Sequence, residues 1–119
     1  MADEKMPNVA GKGPSLIREM LGNFKEIDTA LDGLSGEATA RIKAVCVDQG
    51  LEVEPLVTRA YMKTVKAGET AWQCNQLAIR MKDSIAARNE DEALETADRL
   101  ATELGDLINK TKNFVVRMT

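Results

Sequence analysis

The sequence predicts an all-α fold, an elongated antiparallel helical bundle, or coiled-coil-like hairpin, of three to four helices. Apolar residues recur at alternating steps of three and four along most of the chain, which is the spacing of one helix face. Aromatic residues make up only 3% of the chain, whereas β-sandwiches and barrels depend on aromatic and β-branched residues. Apolar residues account for 44% of the chain, which is enough to build a core and too many for a disordered protein.

The first helix is predicted over residues 16–33, at the start of a single helical domain that covers 15–119. Residues 1–14 contain two prolines and two glycines without periodicity, so we expect a flexible arm there. Ser15 is a suitable N-cap for the helix that follows. The helix carries a heptad-like apolar seam of Ile17, Met20, Phe24, Ile27, Leu31 and Leu34.

The second helix is predicted over residues 36–49. Gly33, Ser35 and Gly36 interrupt the first seam, and Ser35 can cap the new helix. Gly50, followed by an apolar residue, is typical of a glycine that ends a helix. Whether the first two helices form one continuous rod stays open at this stage.

The third and longest helix is predicted over residues 53–88, with Pro55 in its first turn, where a missing N–H costs nothing. Two apolar stripes follow it, so we expect a central helix buried on a wide face. One stripe consists mainly of small residues that allow close approach of a partner helix, namely Val57, Ala60, Thr64, Ala67, Ala71, Cys74, Ala78, Met81 and Ile85. The second stripe contains Tyr61, Val65, Gly68, Trp72 and Ile79.

The fourth helix is predicted over residues 90–118, with Asn89 as its N-cap and an apolar seam that runs to Met118. A rod as long as the third helix leaves apolar area uncovered unless a second copy covers it, which predicts a homo-oligomer, most simply a dimer. The residues expected to serve packing and self-association are Ala60, Ala67, Ala71, Ala78, Trp72, Leu100, Leu104, Leu107 and Phe114.

The residue types argue against an enzyme, a cofactor site or a metal site. The chain has no histidine, so the commonest general base is absent and neither Cys46 nor Cys74 has an imidazole partner. Both cysteines fall on apolar helical stripes, where a thiol behaves as a small hydrophobe. A site built from arginine, lysine and glutamine alone, as in some small helical enzymes, would have to use Arg59, Lys63, Gln76 and Arg80.

The chain shows no sign of export or membrane insertion. Its first residues lack the apolar region of a signal peptide, and no apolar stretch approaches the roughly 20 residues of a membrane helix. We therefore expect a cytoplasmic protein that does not bind membranes.

A basic ridge is the strongest candidate for nucleic-acid contact. Arg59, Lys63 and Lys66 are spaced i, i+4 and i+7 on the third predicted helix, and Arg41 and Lys43 lie in the second. Such a ridge can contact phosphates, although exposed helix faces often carry similar solubilising charges. The net charge is −3, and we expect the acidic fourth helix to repel phosphate.

Residues 42–63, about a fifth of the chain, carry a further pattern. Ile42-Lys43 precede Gly50, an acidic cap follows at Glu52, and Val53 and Leu56 lead to the basic residues of the ridge. This stretch resembles the helix–glycine–helix unit of GapR-type nucleoid-associated proteins. The resemblance implies a dimeric or tetrameric helical protein that clasps duplex DNA with a basic helix.

These observations predict a non-enzymatic helical protein that binds an unidentified protein partner, as an adaptor, chaperone, inhibitor or assembly factor. The alternative is a DNA-associated helical oligomer that binds duplex through the basic ridge.

Overall fold

The computed structural model describes residues 7–115, which are all-helical with no strand, as predicted. The α-helices are α1 (Gly13–Thr29), α2 (Gly36–Lys43), α3 (Gly50–Val53), α4 (Val65–Ala86) and α5 (Glu90–Asn113). A π-helical segment, Ala44–Gln49, joins α2 to α3, and two 3₁₀ turns, Glu54–Thr58 and Ala60–Lys63, join α3 to α4.

The prediction that a helix ends at Gly50 is wrong. Gly50 has helical dihedral angles, φ −57° and ψ −43°, and the chain stays helical from Gly36 to Thr58. We call residues 36–58 the composite helix. Gly50 is buried against α1, where a Cβ atom would lie 3.4 Å from Cδ2 of Phe24. The glycine therefore lies within the helix and does not end it.

The predicted continuous helix over 53–88 is also wrong. The backbone leaves the helical region at Arg59, ψ 147°, and again at Thr64, ψ 157°. Two local interactions favour the second break: Thr64 Oγ1 donates to the carbonyl oxygen of Tyr61 at 2.7 Å and accepts from the Ala67 N–H at 3.2 Å. Thr64 is thus an N-cap, and α4 begins after it.

The predicted arm over residues 1–14 is partly packed, and α1 begins earlier than expected. Val9 is only 4% exposed, while residues 1–6 lie outside the described range. Ser15 is not the N-cap of α1, because it lies inside the helix, whose N-cap residue is Lys12, and its hydroxyl donates to the Lys12 carbonyl at 3.0 Å. Pro14 in the first turn starts the helix instead.

The predicted caps at Ser35 and Asn89 are confirmed, whereas the predicted cap at Glu52 is wrong because Glu52 lies inside α3. Ser35 accepts a hydrogen bond from the Ala38 N–H at 3.1 Å, and Asn89 accepts one from the Glu92 N–H at 3.2 Å. Because α1 ends at Thr29 and α2 begins at Gly36, the first two helices are separate. At the other end of the chain, α5 ends at Asn113 and Met118 lies outside the described range.

Four helical segments surround one core. The central α4 packs against α1 on one side and against α5 on the other. The composite helix contacts both α1 and α5 and so completes the bundle. The helices α4 and α5 are antiparallel, whereas α1 is parallel to α4: Gly13 lies against Met62 at one end, and Glu26 pairs with Lys82 at the other. The composite helix is antiparallel to α1, because Lys43 lies beside Asp28 and Gly50 lies beside Phe24, so the chain reverses direction from each helical segment to the next.

Most residues expected to pack are buried within the single chain. The fully or nearly fully buried ones are Ala67, Ala71, Ala78, Leu100, Leu104 and Leu107. Trp72 is half-buried, Phe114 is 40% exposed, and Ala60, which lies on the second 3₁₀ turn, is exposed. The described helices include none that is long and apolar enough to cross a membrane.

Candidate binding surface

Charge is strongly segregated along the bundle. Residues 7–14, 54–68 and 107–115 meet at one end, which we call the basic pole. They carry six Lys or Arg residues, Lys12, Arg59, Lys63, Lys66, Lys110 and Lys112, but only one acidic residue, Glu54. Glu69 and Asp106 lie just beyond these limits. The pole is therefore positive although the whole chain has a net charge of −3.

The second 3₁₀ turn is anchored to the core by two inward side chains. Met62 is buried, with its sulfur 3.9 Å from Thr111 Oγ1 of α5. The ring of Tyr61 packs at 54° to the ring of Phe114, with the centroids 5.3 Å apart. Since these neighbours point inward, the exposed Arg59 and Lys63 on either side of them are presented to solvent beside the end of α5.

Two glycines bring the N-terminal segment to the same pole. A Cβ atom on Gly13 would overlap the carbonyl oxygen of Met62, and one on Gly68 would overlap the carbonyl oxygen of Val9. Only glycine permits both backbone approaches. They place Lys12 next to the second 3₁₀ turn and the start of α4.

Only one cation of the pole is neutralised by a described residue. Lys110 pairs with Asp106 at 2.8 Å, and this hydrogen bond raises the pKa of the lysine. The other five side chains are exposed and make no ion pair with any residue from 7 to 115. Five unneutralised cations on one end produce a positive potential that attracts anions.

The acidic residues of α5 lie mainly at the opposite end of the bundle. Glu90, Asp91 and Glu92 occupy its first turn, beside the tight connection from α4. The last turns of α5 supply Lys110 and Lys112 to the basic pole instead. The charges of α5 are therefore divided between its two ends, and the end at this pole carries Lys110 and Lys112.

The five residues predicted to contact nucleic acid do not form one surface. Arg59, Lys63 and Lys66 share the pole but not a helix, so the predicted ridge does not exist. Arg41 and Lys43 belong to the composite helix, where Arg41 binds Asp98 at 2.8 Å and Lys43 lies 3.9 Å from Asp28.

Three cations of the pole were missed from the sequence, namely Lys12, Lys110 and Lys112. The position of the last two follows from the α4–α5 hairpin, because antiparallel packing of α5 on α4 brings the end of α5 beside the start of α4. No sequence signal locates Lys12, because its position depends on the parallel packing of α1.

A cavity of about 340 Å³ opens on the basic pole. Its lining combines apolar and cationic residues: Leu56, Arg59, Ala60, Tyr61, Thr111, Lys112 and Phe114. Tyr61 is 7% exposed, and its buried hydroxyl has no hydrogen-bond partner among the described residues. Buried hydroxyls are almost always paired, so this atom is unusual.

A second cavity, of about 530 Å³, lies between α4 and α5. It contains Trp72, Ile79 and Arg99, and also Gln76 and Arg80. Arg59 and Lys63, by contrast, lie at the basic pole. The four polar residues considered for an arginine–lysine–glutamine site are therefore divided between this cavity and the basic pole.

The cysteines lie in the core and are not paired with each other. Burial raises the pKa of both the Cys46 and the Cys74 thiol to about 12, so neither is a thiolate at neutral pH. Residues 7–115 contain no group of histidine, cysteine or acidic side chains that could hold a metal ion.

Comparison of the chain with models of protein families, with curated proteins and with solved structures finds no match. The helix–glycine–helix unit on which the resemblance to GapR-type proteins depends is not formed, because Gly50 is helical and the chain bends at Arg59 instead.

Proposed function

We propose that this protein is a non-enzymatic helical binding module that recognises an acidic surface of a partner protein through its basic pole. Such a module would act as an adaptor, chaperone, inhibitor or assembly factor. The observation that supports the proposal is the convergence, on one end of the bundle, of five cations from three separate segments that no residue from 7 to 115 neutralises. Exposed apolar side chains beside them, Phe114 and Val115, could contribute the apolar part of an interface.

The test compares two variants with equal loss of charge. In the pole variant Arg59, Lys63 and Lys66 become glutamine; in the control variant Lys25, Arg80 and Arg99, which are exposed elsewhere, become glutamine. Proteins captured from nuclease-treated lysate of the native host are identified by mass spectrometry, and the affinity of the purified partner is then measured by calorimetry. We expect the pole variant to lose at least tenfold in affinity and the control variant to keep it. Equal affinity for both variants would exclude the pole as the binding surface.

Duplex DNA is the second candidate partner, and the same five cations favour it. If all five cations neutralise phosphates, the logarithm of the association constant should fall with the logarithm of the salt concentration with a slope of about −4.5. The pole variant lacks three of these cations, so its slope should be less steep by about 2.7. The negative net charge favours the protein partner. We therefore expect duplex affinity no tighter than about 10⁻⁴ M at physiological salt, the weak end of non-specific binding. A salt-sensitive micromolar duplex complex that the pole variant abolishes would make DNA the partner.

Self-association remains a separate prediction. The small-residue stripe of α4 is buried from Ala67 to Ile85, whereas Val65 of the second stripe is 55% exposed and Trp72 and Ile79 are half-buried. A second copy would therefore use the second stripe, including the α4–α5 cavity around Trp72 and Ile79. Light scattering over a hundredfold dilution tests this, and the monomer mass of 13.0 kDa at every concentration would rule it out.

A further inference from the structure

We infer that two copies of this chain associate through the open side of α4, with the two α4 helices antiparallel. The open side is the part of α4 that α1 and α5 leave uncovered, and it carries Val65, Trp72 and Ile79 of the second stripe with a row of polar residues beside them. This inference rests on the self-association proposed above and specifies the surface and the orientation of the second copy. It does not depend on which partner the basic pole binds.

The polar row has an order of charges that is complementary to its own reverse. From the start of α4 the row consists of Lys66, Glu69, Gln73, Gln76, Arg80 and Asp83. In an antiparallel pair, Lys66 meets Asp83 of the second copy, and Glu69 meets Arg80 of the second copy. The spacing alternates between three and four residues and reads the same in both directions, so all these matches occur in one register.

The same register brings the second stripes of the two copies together. Trp72 and Ile79 are half-buried, and Val65 is 55% exposed. When Lys66 is level with Asp83 of the second copy, Trp72 lies about 3 Å along the helix axis from Ile79 of the second copy, at a rise of about 1.5 Å per residue. Two-fold symmetry forms this apolar contact twice, so one register covers both tryptophans.

The charged residues of the row are available for contacts with a second copy. Lys66, Glu69, Arg80 and Asp83 are exposed, and none of the four forms an ion pair with any residue from 7 to 115. Glu69 and Arg80 lie roughly 16 Å apart along α4, so they cannot neutralise each other within one chain. An antiparallel second copy supplies the opposite charge at each of these positions.

The charge distribution of the whole bundle favours the antiparallel orientation. Residues 83–95, at the end opposite the basic pole, carry five acidic residues and one basic residue. A parallel pair would place the two basic poles side by side, whereas an antiparallel pair places each pole beside the acidic end of the other copy. The occupant that the open side of α4 matches is therefore a second copy of the chain.

The test exchanges the charges of Glu69 and Arg80 in the full chain. Glu69→Arg and Arg80→Glu each place like charges at both symmetric contacts, so we expect each variant to weaken the dimer about tenfold. The double variant Glu69→Arg/Arg80→Glu restores opposite charges at both contacts and should dimerise within about twofold of the parent. Glu52→Arg, the same change on the composite helix, is the control and should have no effect. Sedimentation equilibrium over a dilution series gives the dissociation constants.

The fluorescence of Trp72 identifies the surface independently, because it is the only tryptophan of the chain. We expect its emission to shift to longer wavelength as dilution separates the copies and exposes the ring. Unchanged emission during a dissociation that sedimentation detects would mean that the copies use another surface. A double variant that dimerises as weakly as the single variants would overturn the antiparallel register.

Failure of this inference can be distinguished from failure of the proposals that precede it. A monomer at every concentration would overturn both self-association and this surface, whereas a dimer that neither single charge variant weakens would overturn the surface alone. Binding by the basic pole is tested separately. The pole variant and its control each lose one contact of the dimer, through Lys66 and Arg80 respectively, so the difference between their partner affinities reports on the pole.

Discussion

Asn23 and Asn75 join α1 to α4 through a hydrogen bond in which Asn23 Nδ2 donates to Asn75 Oδ1 at 2.9 Å. Asn75 is only 3% exposed and lies among the small apolar residues of α4. A polar pair in such a position fixes the register of two helices, because any sliding would leave buried amide groups unpaired.

We expect Asn75→Ala to destabilise the protein by about 1–3 kcal/mol, since Asn23 loses its partner in the interface. Chemical denaturation of the single variants and of the double Asn23→Ala/Asn75→Ala variant would give the coupling energy of the pair. Gln73→Ala, an exposed amide on the same helix, is the control and should change stability by less than about 0.5 kcal/mol. Simple additivity of the two asparagine variants would show that the hydrogen bond contributes nothing.

Glycine substitutions should have opposite effects at two helical sites. Gly68→Ala brings a methyl group into the carbonyl oxygen of Val9 and should destabilise the protein by about 1–3 kcal/mol. Gly105→Ala has open space around the new Cβ atom and should stabilise it by up to about 1 kcal/mol, because alanine is the better helix former. Thermal melts check both, and equal changes would contradict the close approach of residues 7–12 to α4.

Alkaline pH should destabilise the fold partly through Cys74. Burial, followed by the nearby carboxylates Glu103 and Asp106, raises the pKa of this thiol from 9.0 when unfolded to about 12 when folded. As the pH rises, the folded state therefore keeps the thiol proton to a higher pH than the unfolded state does. The contribution of the protonated thiol to the free energy of unfolding is complete below pH 9 and is lost between pH 9 and 12. The slope approaches about 1.4 kcal/mol per pH unit for this one group.

The measurement for Cys74 is the free energy of unfolding in urea at several pH values from 8 to 11, for the parent and for Cys74→Ala. The variant lacks the titrating group, so its stability should fall less steeply above pH 9 whatever its stability at neutral pH. Parallel curves would mean that the thiol ionises equally easily in both states.

The Arg41 and Lys43 side chains should be dispensable for binding. Both are exposed and paired with carboxylates, and surface ion pairs of this kind contribute about 0–1 kcal/mol each. We expect Arg41→Gln/Lys43→Gln to lower stability slightly and to leave the affinity for the partner, or for duplex DNA, unchanged within twofold. A loss as large as that of the pole variant would extend the binding surface along the composite helix.

The sequence was sufficient for the fold class and for most of the core, because helical periodicity depends on local spacing alone. It predicted the seam from Ala67 to Ile85 and the leucines of α5, which are buried. It failed at Gly50 and between Arg59 and Thr64, where the spacing of apolar residues does not reveal the contacts between segments. Gly50 is helical and contacts Phe24 of α1, and the bend places Tyr61 and Met62 in the core while Thr64 caps α4.

The candidate surface was harder to predict for the same reason. Arg59, Lys63 and Lys66 were identified as a group, but for a geometry that the chain does not adopt. Lys12 and Lys112 join them only after α1 and α5 have packed on α4. A charge pattern along one helix is visible in a sequence, whereas a pole assembled from three segments is a property of the topology.

The parallel arrangement of α1 and α4 has a consequence for the order in which the molecule assembles. The α4–α5 hairpin needs only the three-residue turn 87–89 to close, whereas Asn23 and Asn75 meet across 52 positions of the chain. Loop closure costs more entropy for the longer connection. The hairpin should therefore nucleate folding, and α1 should be the last helix added and the first to detach. Because α1 covers one whole side of α4, its detachment would expose the seam from Ala67 to Met81 and make unfolding intermediates prone to aggregate.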